Sequence, residues 1–345
     1  MKIQDAIREL AEGKNLRIDQ MEKVTHEIML GKTSDAAIGG FLVALKMKGE
    51  TIDEIVGAAE TMAKLVDQVN TDTQFLVDIC GTGGSGSNKF NVSTASAFVA
   101  SAAGTKIAKH GNRSASSNSG SADVLELAGA NIMLSPDQVS SCIDKLGIGF
   151  MFAVNHHSAM RHVSSPRKQL KIRTIFNVLG PLTNPARVKR QLLGVYDDKL
   201  VLPIAEVLSR LGSEHSMVVH SEDGLDEISV YAKTHVAEVR KGSIEEYWLE
   251  PGDFDLKGFN FQNLKVESSQ QSLNLIKRVF KNESEEGKNI VLINSGAAIY
   301  LSGLVDSLAN GVQLARDVIE SGAAMFKLRE FCEFTQQFDS RGWKI

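Results

Sequence analysis

Residues 78–121 read DICGTGGSGSNKFNVSTASAFVASAAGTKIAKHGNRSASSNSGS, and the order of features in this stretch decides the fold. A short apolar run ends at Cys80, and Gly81, Gly83, Gly84 and Gly86 follow at once. Without Cβ atoms these glycines let the backbone turn sharply and approach a ligand closely. Asn91, Ser93 and Thr94 are residue types that cap helices, and TASAFVASAAG beyond them reads as a helix. Strand, glycine loop and helix start, in that order, offer free N–H groups and the positive end of a helix dipole to an anion. A phosphate or diphosphate is the natural guest. The spacing matches neither the P-loop nor the dinucleotide fingerprint. A second loop, KHGNRSASSNSGS at 109–121, follows the strand-like TKIAKH run and gathers two cations, an imidazole and many hydroxyls with almost no apolar residue. Two anion-friendly loops in close succession point to a ligand with two phosphate groups.

Outward from this stretch the pattern differs on the two sides. Before residue 71, IDQMEKVTHEIML, SDAAIGGFLVALKMKG and TIDEIVGAAETMAKLVDQV carry apolar residues at spacings of three and four, which predicts helices. Gly31 and Gly49 sit where helices stop, and Thr51 with Glu54 forms a capping box. The small residues Ala36, Ala37, Gly39 and Gly40 permit close packing, in the core or across a dimer surface. After residue 71, strand-like FLVDIC, TKIAKH, SMVVHS and NIVLIN alternate with helical TASAFVASAAG, ADVLELAG, PDQVSSCIDKLG and PIAEVLSRLG. Such alternation predicts an α/β fold with a mostly parallel sheet and crossover helices. The segment 166–185 reads as helical again between prolines, and 250–286 as loops and short strands.

The chain has 345 residues, 43% hydrophobic and 23% charged, enough for a large core and two domains. A net charge of −4 supplies no global basic field for nucleic acid. No apolar run is long enough to span a bilayer. Three scattered cysteines, Cys80, Cys142 and Cys332, lack metal spacing. With no secretory signal they argue for a reducing, cytoplasmic setting.

GTGG, NVSTASAF, KHGNRS and SGSADVLE, followed by GIGFMFAVNHH, IRTIFNVLGPLTNP, QLLGVYD and DGLDEIS, resemble the anthranilate phosphoribosyltransferase family, in family order across residues 5 to 330 or so. The resemblance implies a small helical domain (1–70 with about 166–190) beside a large α/β domain (about 71–165 with 191–345). It implies a homodimer and transfer of phosphoribose from 5-phosphoribosyl 1-diphosphate to the amine of anthranilate, the second step of tryptophan synthesis from chorismate. No covalent nucleophile is needed. The matching positions for phosphoribosyl diphosphate are Gly81, Gly84, Ser85, Lys89, Asn91, Val92, Ser93 and Thr94, then Lys109, His110, Gly111, Asn112, Arg113, Ser114, Ala115, Ser116, Ser117 and Ser121. Those for anthranilate are Gly81, Asn112 and Arg167, with Arg161 and Arg173 as neighbouring cations and His156 and His157 as pocket lining. Those for a Mg2+ cofactor are Ser93, Asp226 and Glu227.

The sequence departs from the family pattern at several points. Ser85 stands where the family has Asp, Lys89 where it has Thr, and Asn118 where it has Lys. Ser158 replaces Pro, and Lys171 replaces Gly. The first three changes shift positive charge toward the glycine loop, so Lys89 is expected to reach a phosphate oxygen in compensation for Asn118. Two other classes share parts of this pattern. A pyrimidine nucleoside phosphorylase would not need KHGNR together with PRKQLKIRT. A non-catalytic nucleic-acid-binding relative would show basic clusters and eroded KHGNR or DE motifs, which are intact here.

Overall fold

The computed structural model describes residues 1–83, 87–114, 118–256, 258 and 260–338. Four helices open the chain: α1 (Ile3–Ala11), α2 (Ile18–Met29), α3 (Asp35–Lys48) and α4 (Ile52–Leu65). Thr51 and Glu54 form the expected capping box, with each side chain meeting the other's backbone N–H. Glu54 is fully buried, and it also accepts from the Leu16 N–H and pairs with Lys48 Nζ, both at 2.9 Å. One carboxylate therefore caps α4, closes the α1–α2 loop and neutralises the end of α3.

The α/β part runs β1 (Val77–Gly81), α5 (Val92–Ala102), β2 (Ile107–Gly111), α6 (Ser121–Leu127), α7 (Pro136–Leu146), β3 (Ile148–Phe152) and α8 (Ala153–His156). It continues through α9 (Arg161–Leu170), α10 (Phe176–Leu182), β4 (Arg190–Gly194), α11 (Val201–Arg210), β5 (His215–Ser221), β6 (Thr234–Arg240) and β7 (Ser243–Leu249). It closes with α12 (Ser269–Phe280), α13 (Glu285–Ser302), α14 (Leu308–Glu320) and α15 (Ala323–Gln336). The seven strands order as β3-β2-β1-β4-β5-β6-β7. All pairs from β3 to β5 are parallel, and β6 and β7 add an antiparallel edge. Successive strand residues serve opposite faces. Leu192, Met217 and Val219 pack with α5, α13 and α15, whereas Leu193, Val218 and Ala237 pack with α11 and the N-terminal helices. Val163, Phe176 and Leu179 from α9 and α10 join this second core.

Three local expectations are corrected. NIVLIN, read as a strand, lies inside α13, whose residues are buried on nearly every side. A helix surrounded by protein has no polar face to mark its period. It crosses α14 so closely that a Cβ on Gly296 or Gly311 would collide with the other helix's backbone. The 250–286 region carries two 3-10 turns and the amphipathic α12 rather than strands. The 166–185 helix is two helices, divided at Lys171, which adopts φ +52° at the end of α9. That left-handed conformation is the reason a glycine suits this position.

Candidate active site

The strand order reverses between β1 and β4, because the chain proceeds β1, β2, β3 to one side and then returns to β4 on the other. In an open parallel sheet, ligands bind outside the carboxyl ends of the strands at such a switch point. Here those ends are Gly81 and Gly194, joined by the Thr82 N–H donating to the Gly194 carbonyl at 2.8 Å. The turn after β5 lies directly over them. A Cβ on Gly194 would overlap the Asp226 carbonyl, and one on Gly81 would press on the Asp226 carboxylate.

The polar residues fall into three groups around this point. The first is the start of α5. Asn91 is its N-cap residue, but its side chain does not cap. Instead Asn91 Oδ1 accepts from the Ser119 hydroxyl at 2.6 Å and the Ser272 hydroxyl at 2.7 Å, and Nδ2 donates to the Ser119 carbonyl. The expectation of a side-chain cap is thus corrected: Asn91 ties the helix start to the second loop, and the first turn keeps its N–H groups without a side-chain cap. Val92 and Thr94 are buried, so Val92 can offer a ligand only its main chain.

The second group is the end of β2 and the loop after it. Lys109, expected as a mobile charge, is buried and donates to the Ile79 carbonyl at 2.6 Å. Burial lowers its pKa, and the neighbouring Asp78 carboxylate opposes that shift. Asp78 is fully buried, and sequence reasoning gave it no role although a carboxylate within FLVDIC was the available signal. It accepts from the His110 N–H at 3.1 Å and from Asn184 Nδ2 at 2.8 Å. Arg113, expected at phosphate, is engaged on α6 by Asp123 and Glu126, both at 2.8 Å, and lies 5.6 Å from the Phe152 ring centre. Asn112 Oδ1 accepts from the Arg113 N–H at 2.8 Å, and Ser121 Oγ donates to the Asn112 carbonyl. Gly111 gives the loop room against Phe150, and the Ser114 N–H donates to Asp123. Asn118 donates to the Val266 carbonyl. Gly84, Ser85, Ala115, Ser116 and Ser117 lie outside the described residues.

The third group joins the sheet to α9 and α10. The rings of His110 and His157 stand 5.0 Å apart, and both are buried. Burial lowers both pKa values, His110 well below the ordinary histidine value and His157 to about 4, so these rings are neutral at pH 7. His156 donates to the Asp67 carbonyl through Nδ1 at 3.0 Å. Arg167 stands on α9 with its guanidinium 5.6 Å from the Phe176 ring centre. It has no carboxylate partner among the described residues, and burial alone lowers its pKa. Arg173 instead stacks on Tyr196 at 4.2 Å, and Arg161 is exposed beside His162.

The acid pair over the switch point already holds a cation. Lys89 Nζ lies 2.6 Å from Asp226 Oδ1 and 2.6 Å from Glu227 Oε2. The other oxygens are engaged as well, Asp226 Oδ2 by the Gly83 N–H and Glu227 Oε1 by Ser93 Oγ at 3.1 Å. The three side chains are 7–10% exposed. Lys89, expected to reach a phosphate oxygen, is therefore committed to two carboxylates. Among the described residues no group of three or more His, Cys, Asp or Glu side chains is placed to hold a metal. The pair as arranged fits an ammonium and does not fit a magnesium ion. A cavity of about 280 Å³ is lined by Arg190 and His215, the first residues of β4 and β5, among others. It opens at the amino ends of the strands, away from this site.

Residues 73–325 match the α/β domain of a glycosyl transferase family, and residues 4–66 match its helical bundle domain. Fold and family match together define a glycosyltransferase. Anthranilate phosphoribosyltransferase of Cellvibrio japonicus is 52% identical over 340 residues, covering 97% of this chain and 99% of that relative. The enzyme of Saccharophagus degradans is 53% identical over 97% and 99% of the two chains. The crystal structure of anthranilate phosphoribosyltransferase from Thermus thermophilus superposes with a TM-score of 0.91 at 39% identity, covering 96% of this chain and 99% of that one. A Saccharomyces cerevisiae anthranilate phosphoribosyltransferase in complex with phosphoribosyl diphosphate and Mg gives 0.89 at 28% identity, over 97% and 98%. The chain belongs to the anthranilate phosphoribosyltransferase family.

Proposed function

We propose that this protein transfers the phosphoribosyl group of 5-phosphoribosyl 1-diphosphate to the amine of anthranilate, releasing diphosphate, a step of tryptophan synthesis. The reading is supported by an α5 N-terminus without a side-chain cap and by a half-buried guanidinium on α9 with no carboxylate partner among the described residues. The first suits a diphosphate, and the second suits the carboxylate of a small aromatic acid. The 2.6 Å bond from Lys109 to the Ile79 carbonyl holds a buried ammonium between the middles of β1 and β2. The buried rings of His110 and His157, 5.0 Å apart, are neutral and add no charge there. Catalysis on this reading is positioning of two substrates and stabilisation of the leaving diphosphate. Magnesium, present with this substrate in the yeast relative, is the cofactor and supplies positive charge to the diphosphate.

The site residues are Gly81, the first turn of α5 through Ser93 and Thr94, Lys109 to Ser114 and Ser121 for phosphoribosyl diphosphate, and Arg167 with Asn112 for anthranilate. The helical domain comprises residues 1–70 and the returning segment about 166–190, which share one apolar cluster. It forms the surface of a homodimer: Ala36 and Gly40 on α3 are exposed, and nothing lies within 4 Å of a Cβ built at Gly39. The protein works in the cytoplasm; none of the described helices is long and apolar enough to cross a membrane. Mixing the protein with phosphoribosyl diphosphate, magnesium and anthranilate should extinguish anthranilate fluorescence. Unchanged fluorescence at micromolar enzyme refutes the activity, and a monomer in light scattering refutes the dimer.

A further inference from the structure

We infer that the ammonium of Lys89 occupies the cation position of the Asp226–Glu227 pair permanently, so that this protein binds its diphosphate substrate with one divalent ion fewer than a protein whose acid pair is open. The inference rests on the activity proposed above and deepens it by assigning the metal requirement. Two adjacent carboxylates, each less than a tenth exposed, repel one another unless a cation lies between them. Lys89 supplies that cation at 2.6 Å from both. Its backbone delivers it there. The Phe90 N–H donates to the Leu264 carbonyl and the Val266 N–H to the Asn88 carbonyl, a short antiparallel bridge that pins residues 88–90. The ammonium is thus built into the fold rather than carried on a loose loop.

The remaining carboxylate oxygens are also taken. Asp226 Oδ2 meets the Gly83 N–H, and Glu227 Oε1 meets the Ser93 hydroxyl. A divalent ion at this pair would have to displace a buried ammonium into the surrounding protein, and breaking a buried ion pair leaves an uncompensated charge. Magnesium also demands near-ideal octahedral geometry and holds its waters tightly, whereas an ammonium with three donors fits between two carboxylates without such constraint. With both carboxylates ionised the local charge is −1 with lysine, where a divalent ion in its place would bring it to zero. Magnesium that arrives with the substrate's own diphosphate is unaffected by this argument.

Counting bound Mn2+, used as the paramagnetic probe, tests the inference. The protein is saturated with phosphoribosyl diphosphate and Mn2+, and the ions retained per protomer are counted by ultrafiltration and electron paramagnetic resonance. The Lys89→Thr variant should retain one Mn2+ more than the unmodified protein. In the unmodified background Glu227→Gln should leave the count unchanged. Equal counts for Lys89→Thr and the unmodified protein overturn the inference, and so does loss of one Mn2+ in Glu227→Gln. If Lys89→Thr does not fold, the Glu227→Gln count decides alone. Failure of the unmodified protein to retain phosphoribosyl diphosphate refutes the activity and this inference with it, whereas retention with equal counts refutes the inference alone.

Discussion

Replacing Arg167 by Ala tests the assignment of the acceptor site most directly. The guanidinium is half-buried on α9 over the Phe176 ring and has no carboxylate partner among the described residues. Much of its desolvation is therefore already incurred in the free protein, as the burial-lowered pKa indicates. An incoming carboxylate then gains a charge-assisted, bidentate contact at little further desolvation of the arginine. Hydrogen bonds to charged groups contribute about 1.5–3 kcal/mol. At about 1.4 kcal/mol per factor of ten, the loss should lower kcat/KM for anthranilate about 10- to 150-fold. The groups proposed to bind phosphate stand on β1, α5 and β2, so KM for phosphoribosyl diphosphate should stay within about twofold. The stability cost should be small, about 0.5–1 kcal/mol for the lost contact with Phe176. Arg167→Lys keeps the charge but not the planar fork, and should recover part of the loss. Steady-state kinetics with each substrate varied in turn checks all of this. Equal losses of kcat/KM for both substrates would refute the assignment.

Three further outcomes follow from particular contacts. Gly194→Ala should lower kcat at least tenfold, because a Cβ there overlaps the Asp226 carbonyl and must push the acid turn off the switch point; a variant with normal kcat and an unshifted melting temperature would show that the turn has no role. Burial holds His157 at about 4, below the unfolded value of about 6.5, so the unfolded chain takes up a proton first as pH falls. Its contribution, on the order of 3 kcal/mol, is complete above pH 6.5 and is lost as pH falls toward 4. His157→Phe should flatten the stability-against-pH curve in that window, as measured by urea midpoints, and an unchanged slope would contradict the assignment. Lys171→Gly should raise stability by about 0.5–1 kcal/mol by removing a side chain from φ +52°, and a lowered thermal midpoint would count against strain there.

The amino-acid sequence by itself determined what depends on near neighbours. Hydrogen bonding within a few residues sets helix periods and caps, so α2, α3 and α4 and the Thr51–Glu54 box were readable. The same holds for the glycine loop leading to α5, since loop and helix start are contiguous. Only the tertiary structure decided what depends on partners far along the chain. NIVLIN lies in a helix buried on nearly every side, and a buried apolar hexamer carries no period to separate helix from strand. Arg113 pairs with Glu126 and Asn91 accepts from Ser272 instead of capping α5, partners that their own segments do not reveal. Lys89 shows the limit most plainly. Its position in the glycine loop suits a phosphate, yet its partner Asp226 lies 137 residues away and meets it only because β1, β4 and β5 are adjacent in the sheet. Charge is a property of the residue, but which opposite charge it meets is set by strand order, because only the sheet brings the ends of distant strands to one edge.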